Sequence, residues 1–325
     1  MRILITGASG LLGLNLALDA SQEHTVFGVA NHHTLQGTPF PVLQADLTVP
    51  GEIERLLDAT QPDWVIHCAA LANVDACETD PQSAHRINAE VPGLLAARCA
   101  GKHHVGKGGA RAEPIRLVHI STDAVFDGLK GNYTEDDPPN PLSVYAQTKL
   151  AGERAVLQAN PQAIVARVNL FGWSMGGRRS LAELFVNNLA AGKSMMGFTD
   201  VFFCPLLVND IGPILFAMLE KGLDGLYHVF AGEAISKYDF GVAVAGQFGL
   251  DAGLIAPTHV ADSGLKAARS PNLTMSTHKL STALGRSLPA LSPAIHRFWV
   301  LYQQGYPQRL QKLAGVGLEN VMRDA

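Results

Sequence analysis

Ile3-Leu4-Ile5-Thr6-Gly7-Ala8-Ser9-Gly10-Leu11-Leu12-Gly13-Leu14-Asn15-Leu16 opens apolar, turns on glycines and continues with leucines at helical spacing. A short apolar run without polar alternation is the pattern of a strand covered on both faces of a parallel sheet. Strand, glycine turn and helix in that order is the setting a dinucleotide-binding turn requires. Gly7 would allow the tight turn, Gly10 the approach of backbone to a pyrophosphate, and Gly13 the packing of helix on strand. The amides of the first helical turn, at Leu11 and Leu12, would then face the phosphates. The spacing is Gly-x-x-Gly-x-x-Gly, and a purely structural turn is the competing reading.

Outward from this turn the same alternation repeats. An apolar run over residues 25–29 ends in Ala30-Asn31-His32-His33, where many dinucleotide folds place an acid on the ribose 2′-hydroxyl. Without the acid a 2′-phosphate is not repelled, and no neighbouring arginine attracts one, so NADPH is slightly favoured over NADH; Asn31 and His32 are the residues expected there. Val42-Leu43 leads to Asp46-Leu47, candidates for the adenine end, with the acid capping the following turn as the competing reading. Residues 50–59 read as a helix with Ile53, Leu56 and Leu57 inward. Trp64-Val65-Ile66-His67 is a buried strand delivering Ala69 and Ala70, small enough for a flat ligand to lie against the backbone. His67 is expected to be a core histidine satisfied by backbone. A helical stretch beginning at Asn88 carries Pro92, expected to kink it or to mark an amino-terminal turn. Residues 101–114 read as a solvated insertion. Leu117-Val118-His119-Ile120 is a further strand, ending in Ser121-Thr122-Asp123. Strands alternating with helices predict an α/β protein with a Rossmann-type, doubly wound parallel sheet.

The 325 residues exceed one comfortable core, so a smaller lobe is expected beside the sheet. Hydrophobic content of 47% supplies ample core, and a net charge of −4 offers no basic excess for nucleic acid. Four scattered cysteines without a Cys-x-x-Cys pair read as reduced thiols. No cleavable leader and no membrane span is read from the chain, so a soluble cytoplasmic protein is expected. No metal site is expected.

Ser143-Val144-Tyr145-Ala146-Gln147-Thr148-Lys149 places a phenol and an ammonium one helical turn apart. An ammonium near a phenol lowers its pKa from about 10 and makes it a useful proton donor. Thr122, at a strand end on the same edge of the sheet, adds a hydroxyl.

These residues together resemble the extended short-chain dehydrogenase/reductase superfamily, and within it the dTDP-4-dehydrorhamnose reductase-like branch. The glycine turn, Ala69-Ala70, Asn88, and Tyr145 with Lys149 match superfamily motifs. The branch resemblance rests on Ser121-Thr122-Asp123-Ala124-Val125-Phe126-Asp127-Gly128, on Val74-Asp75-Ala76-Cys77-Glu78, on Tyr145 through Glu153, and on Arg269-Ser270-Pro271-Asn272 before Thr277-His278-Lys279-Leu280. It implies an NAD(P)H-dependent reductase of a nucleotide-linked 4-keto sugar. Tyr145 would be the proton donor, Lys149 would hold the nicotinamide ribose and lower the phenol's pKa, and Thr122 would bind the substrate oxygen. Asn88 would join the cofactor site, and Asp123, Val125, Phe126, Asn169, Arg178 and Arg269 the substrate site. Asp123 is followed by Ala124 where dehydratases of the superfamily carry Asp-Glu, so elimination is disfavoured. Leu170 stands where the branch has tryptophan, and Asn169 resembles the asparagine of nucleotide-sugar epimerases, so an epimerase is one alternative. A non-catalytic dinucleotide-sensing regulatory subunit is the other. The expected division is a dinucleotide domain over 1–172 and 205–232 and a mixed α/β substrate lobe over 173–204 and 233–325. The partner expected is a small nucleotide sugar, with no nucleic acid or membrane, and a homodimer left open.

Overall fold

The computed structural model describes residues 1–101, 103–104, 113–263 and 270–314. Seven strands form the central sheet: β1 (Arg2–Thr6), β2 (Thr25–Ala30), β3 (Val42–Gln44), β4 (Trp64–His67), β5 (Arg116–Thr122), β6 (Ile164–Val168) and β7 (Gly225–Val229). They lie in the order β7-β6-β5-β4-β1-β2-β3, and every neighbouring pair is parallel. Parallel pairing forces crossovers, and helices supply all but the one from β2 to β3. These are α1 (Leu11–Ala20), α2 (Glu52–Thr60), α3 (Val91–Gly101), α4 (Val144–Ala159), α5 (Leu181–Ala190) and α6 (Val208–Glu220). The chain winds outward from β1 to β3, then returns to β4 and winds the other way. The reversal opens a crevice at the carboxyl ends of β1 and β4, where ligands of such sheets bind.

The apolar runs are explained by cover on both faces. Ile3 and Ile5 pack with Leu14, Leu16, Ile211 and Leu215 on one side of the sheet, whereas Leu4 packs with Ile53, Leu56, Leu95 and Val156 on the other. The smaller lobe is mixed α/β. Met195–Phe198 pairs in parallel with Ile255–Thr258, and Phe202–Phe203 lies between Ile235–Ser236 and Asn272–Leu273. Helices α7 (Lys237–Phe248) and α8 (Leu291–Gln303) complete it. An aromatic seam joins lobe and sheet: Trp173 stacks on Phe298 with centroids 4.1 Å apart and donates Nε1–H to the Phe298 carbonyl. Asn15 of α1 fastens the seam, donating Nδ2–H to the Trp173 carbonyl and accepting the Tyr306 hydroxyl at Oδ1.

Around Asn88 the structure corrects the expected helix start. A helix at Pro81–His85 continues through a π-helical turn, Arg86–Glu90, into α3. Pro92 has no N–H to give the Asn88 carbonyl four residues back, and the ladder widens there. That carbonyl is pressed onto α4 at Gly152, where an added Cβ would fall 2.1 Å from it. In the expected insertion, His103–His104 pairs antiparallel with Glu113–Pro114; residues 102 and 105–112 lie outside the described residues. Among the described residues no helix is long and apolar enough to cross a membrane.

Candidate active site

β1 delivers Gly7 to the crevice with φ of +68°, a left-handed backbone that glycine adopts at little cost. A Cβ there would stand 2.7 Å from the Ala69 amide nitrogen, and one at Gly13 would stand 2.2 Å from the Gly7 carbonyl oxygen. The glycines therefore let the turn, α1 and the exit of β4 close on one another. Gly10 caps α1 without a side-chain hydrogen bond, which leaves the first-turn amides at Leu11 and Leu12 to the crevice. Such a cradle fits the pyrophosphate of a dinucleotide, because the helix dipole and free amides favour an anion.

The loop after β4 carries Ala69 and Ala70 past this cradle. Asn88 holds it: its Oδ1 accepts the Leu71 amide at 2.9 Å, and its Nδ2 donates to the Leu71 carbonyl and to Thr148 Oγ1. Asn88, expected in the cofactor site, is fully buried with its amide group spent on these bonds, and it fixes the loop after β4. Asn31 and His32 stand exposed at the end of β2. Asp46 turns Oδ1 onto the Thr48 amide and hydroxyl, which hold its carboxyl below the usual range; Leu47 is half-buried beside it. The sequence shows no arginine near His33, yet the fold brings Arg179 close enough that its charge helps depress that imidazole's pKa, after burial.

α4 presents Tyr145 and Lys149. Its first turn is capped twice: Ser143 Oγ accepts the Ala146 amide, and Glu78 Oε1 accepts the Val144 amide at 2.8 Å. Tyr145 is half-buried beside Thr122, which favours its phenolate. Lys149 is buried, with Nζ donating to the Ile120 carbonyl at 2.6 Å and lying 3.5 Å from His119 Nε2. Burial pushes the phenol up to about 12, against the pull of Thr122, and burial brings the Lys149 ammonium down to about 8 while Glu153 raises it. The phenol thus lies above its ordinary value and not below it as expected, because loss of water around Tyr145 outweighs what favours the phenolate.

Asp123 and Asn169 meet, Asn169 Nδ2 donating to Asp123 Oδ2 at 2.6 Å. Burial raises the Asp123 carboxyl, opposed by Asn169, Thr122 and the charge of Lys237. Val125 and Phe126 are corrected. Both have no exposed surface and pack with Tyr133, Leu150, Cys204, Phe230 and Met275, Phe126 stacking on Tyr133 at 4.2 Å. A short 3₁₀ turn at Asp123–Val125 rotates them into this core. Arg178 is exposed just before the capping box of α5, and Arg269 lies outside the described residues. His67 is also corrected: its Nδ1 bonds the Thr6 hydroxyl at 2.7 Å, not backbone.

Three contributors were missed from sequence. Glu78 caps the α4 amino terminus, and Cys77 lies close enough to influence Tyr145. Lys237 is the first residue of α7, where a cation opposes the helix dipole. That misplaced charge was the available signal. Deeper in, Glu153 and Arg167 form a buried ion pair at 2.7 Å, with Ser121 Oγ donating to Glu153 Oε1. This pair locks α4 to β5 and β6.

The chain is 33% identical, over 90% of its length and 95% of the relative's, to a probable low-salt glycan biosynthesis reductase, Agl14, of Haloferax volcanii. It is 31% identical to methionine adenosyltransferase 2 subunit beta of Mus musculus, over 92% of this chain and 87% of that one. The crystal structure of a dTDP-4-dehydrorhamnose reductase from Clostridium acetobutylicum superposes with a TM-score of 0.76 at 26% identity, covering 93% of this chain and all (100%) of that one. The dTDP-4-dehydrorhamnose reductase from Bacillus anthracis, solved in complex with NADP, shares the fold with a TM-score of 0.74 at 23% identity, over 92% and 98% of the two chains. A family model described as RmlD substrate binding domain matches residues 1–303. The chain belongs to the RmlD substrate binding domain family.

Proposed function

We propose that this protein is an NAD(P)H-dependent reductase of a nucleotide-linked 4-keto sugar. The observation that carries the reading is the meeting of Thr122, Tyr145 and Lys149 at the crevice that also holds the glycine cradle. A bound nicotinamide dinucleotide supplies the hydride. Gly7, Gly10, Gly13 and the α1 amides hold its pyrophosphate, and Ala69 and Ala70 leave room along the β4 exit. Thr122 orients the substrate oxygen, and Tyr145 gives that oxygen its proton. A phenol held near 12 is protonated at neutral pH and is released as acid only when the oxygen it faces gains negative charge. Lys149, cationic below about 8, stabilises the phenolate left behind. Asp123, Asn169 and Lys237 form the sugar end of the site, and Arg178 and Arg179 are exposed, Arg179 beside His33. No acid ends β2 and Arg179 approaches His33, so NADPH is accepted at least as well as NADH.

The test is NADPH oxidation at 340 nm with dTDP-linked and UDP-linked 4-keto sugars. Tyr145→Phe is expected to lower turnover by roughly 10²–10⁴-fold while NADPH still binds. Full activity in this variant would reject Tyr145 as donor. Identity to the methionine adenosyltransferase beta subunit favours one second reading, a dinucleotide-binding regulatory subunit. Absence of turnover on every sugar, with tight NADPH binding and a co-purifying enzyme, would select it.

A further inference from the structure

Thr6, His67 and His119 are register partners on β1, β4 and β5, so they form one polar rung across the middle of an apolar sheet. All three are buried to within 1% of complete. His67 Nδ1 meets Thr6 Oγ1 at 2.7 Å, and the two imidazoles stack with centroids 5.4 Å apart and planes 23° from parallel. The rung ends on Lys149, whose Nζ lies 3.5 Å from His119 Nε2. Helix α4 runs directly over this imidazole; a Cβ at Gly152 would lie 3.5 Å from the same Nε2.

We propose that His119 is a positioning residue for Lys149, presenting the lone pair of Nε2 to the ammonium and so directing its remaining N–H into the crevice. Lysine has three donors and no acceptor. One goes to the Ile120 carbonyl and a second is turned toward His119, which leaves a single N–H aimed outward. An ammonium does not face another N–H, so Nε2 is unprotonated and the proton of His119 sits on Nδ1. That Nδ1, like His67 Nε2, is buried without a protein partner. An unpartnered buried polar group costs stability, and a leucine or phenylalanine would fill the space without that cost. What the imidazole adds is its other nitrogen. Burial and the Lys149 charge hold both histidines far below the ordinary range, His67 at about 3, so the acceptor stays an acceptor at any working pH.

The use of the outward N–H on a cofactor ribose rests on the reductase reading; the tautomer does not. Long-range nitrogen–proton NMR of the full chain labelled with ¹⁵N-histidine, without ligand, is expected to show His119 with Nε2 bare and Nδ1 protonated, unchanged from pH 7 to 5.5, where Lys149 is an ammonium, the signal assigned by its loss in His119→Gln. NADPH affinity by fluorescence titration is expected to fall about ten-fold in His119→Leu, the worth of one charge-assisted bond. His119→Gln, whose amide oxygen can accept, is expected to recover most of it. His119→Phe, closer in volume, is expected to behave as His119→Leu, and circular dichroism checks that each variant is folded. A protonated Nε2, or equal NADPH affinity in the Leu, Phe and Gln variants, overturns the proposal. A wild type that binds neither NADPH nor NADH rejects the reductase reading while the tautomer is still read.

Discussion

At the scale of single residues, the site runs on two displaced proton affinities. Tyr145 is held up near 12 and Lys149 down near 8, both by burial, so the group that changes charge close to working pH is the lysine. Below about 8 it is an ammonium with donors to give; above, it is an amine with fewer donors and no charge. NADPH affinity is therefore expected to be level from pH 6.5 to 8 and to fall as pH rises further. In Lys149→Met, binding should be uniformly weak with no alkaline fall. Fluorescence titration across pH 6.5–9.5 measures it, and an affinity level to pH 9.5 in the wild type would refute the assignment.

At the scale of elements, the placement of Tyr145 depends on how closely α4 lies on the π-helical turn before α3. Gly152 is the contact point, its missing Cβ leaving room for the Asn88 carbonyl freed by Pro92. Gly152→Ala is expected to destabilise the fold by about 1–3 kcal/mol or more, since the obstacle is backbone and not a side chain that can move. It should lower activity as well, because α4 must shift. Gly246→Ala in α7 meets nothing within 4 Å and should stabilise by about 0.5–1 kcal/mol. Urea unfolding of the two variants gives opposite signs if the packing is as described.

At the scale of the whole molecule, one buried polar network ties sheet to lobe. Glu153 and Arg167 pair inside, Arg167 Nη1 lies 3.4 Å from His228 Nε2, and His228 reaches the Ser276 carbonyl and, by its amide, Glu135. Burial, with the Arg167 charge beside it, pushes His228 down to about 3. The unfolded chain binds a proton at this residue near pH 6.5 and the folded chain does not, so its contribution is present above 6.5 and is lost as pH falls below. Relative to His228→Gln, the wild type is expected to lose about 1.4 kcal/mol of stability per pH unit between roughly 6 and 4. Raised carboxyls such as Asp123 and Glu183 act in the opposite sense, and the comparison with the variant cancels them. Parallel pH dependence of the two proteins in urea would show that His228 titrates normally.

The parallel sheet, the glycine cradle and the stations of Thr122, Tyr145 and Lys149 were legible in the sequence because each follows from short-range rules. Apolar runs without alternation mark strands covered on both faces, glycines mark backbones without room for Cβ, and a four-residue spacing puts two side chains on one helical face. Tertiary structure alone decided the rest. It turned Val125 and Phe126 into the core, spent Asn88 on the loop after β4, and brought Lys237 to Asp123 and Arg179 to His33. It also reversed the sign of the Tyr145 shift. Spacing states which charges are neighbours, but desolvation depends on how much of the chain closes over them, and that is a property of packing between residues far apart in sequence.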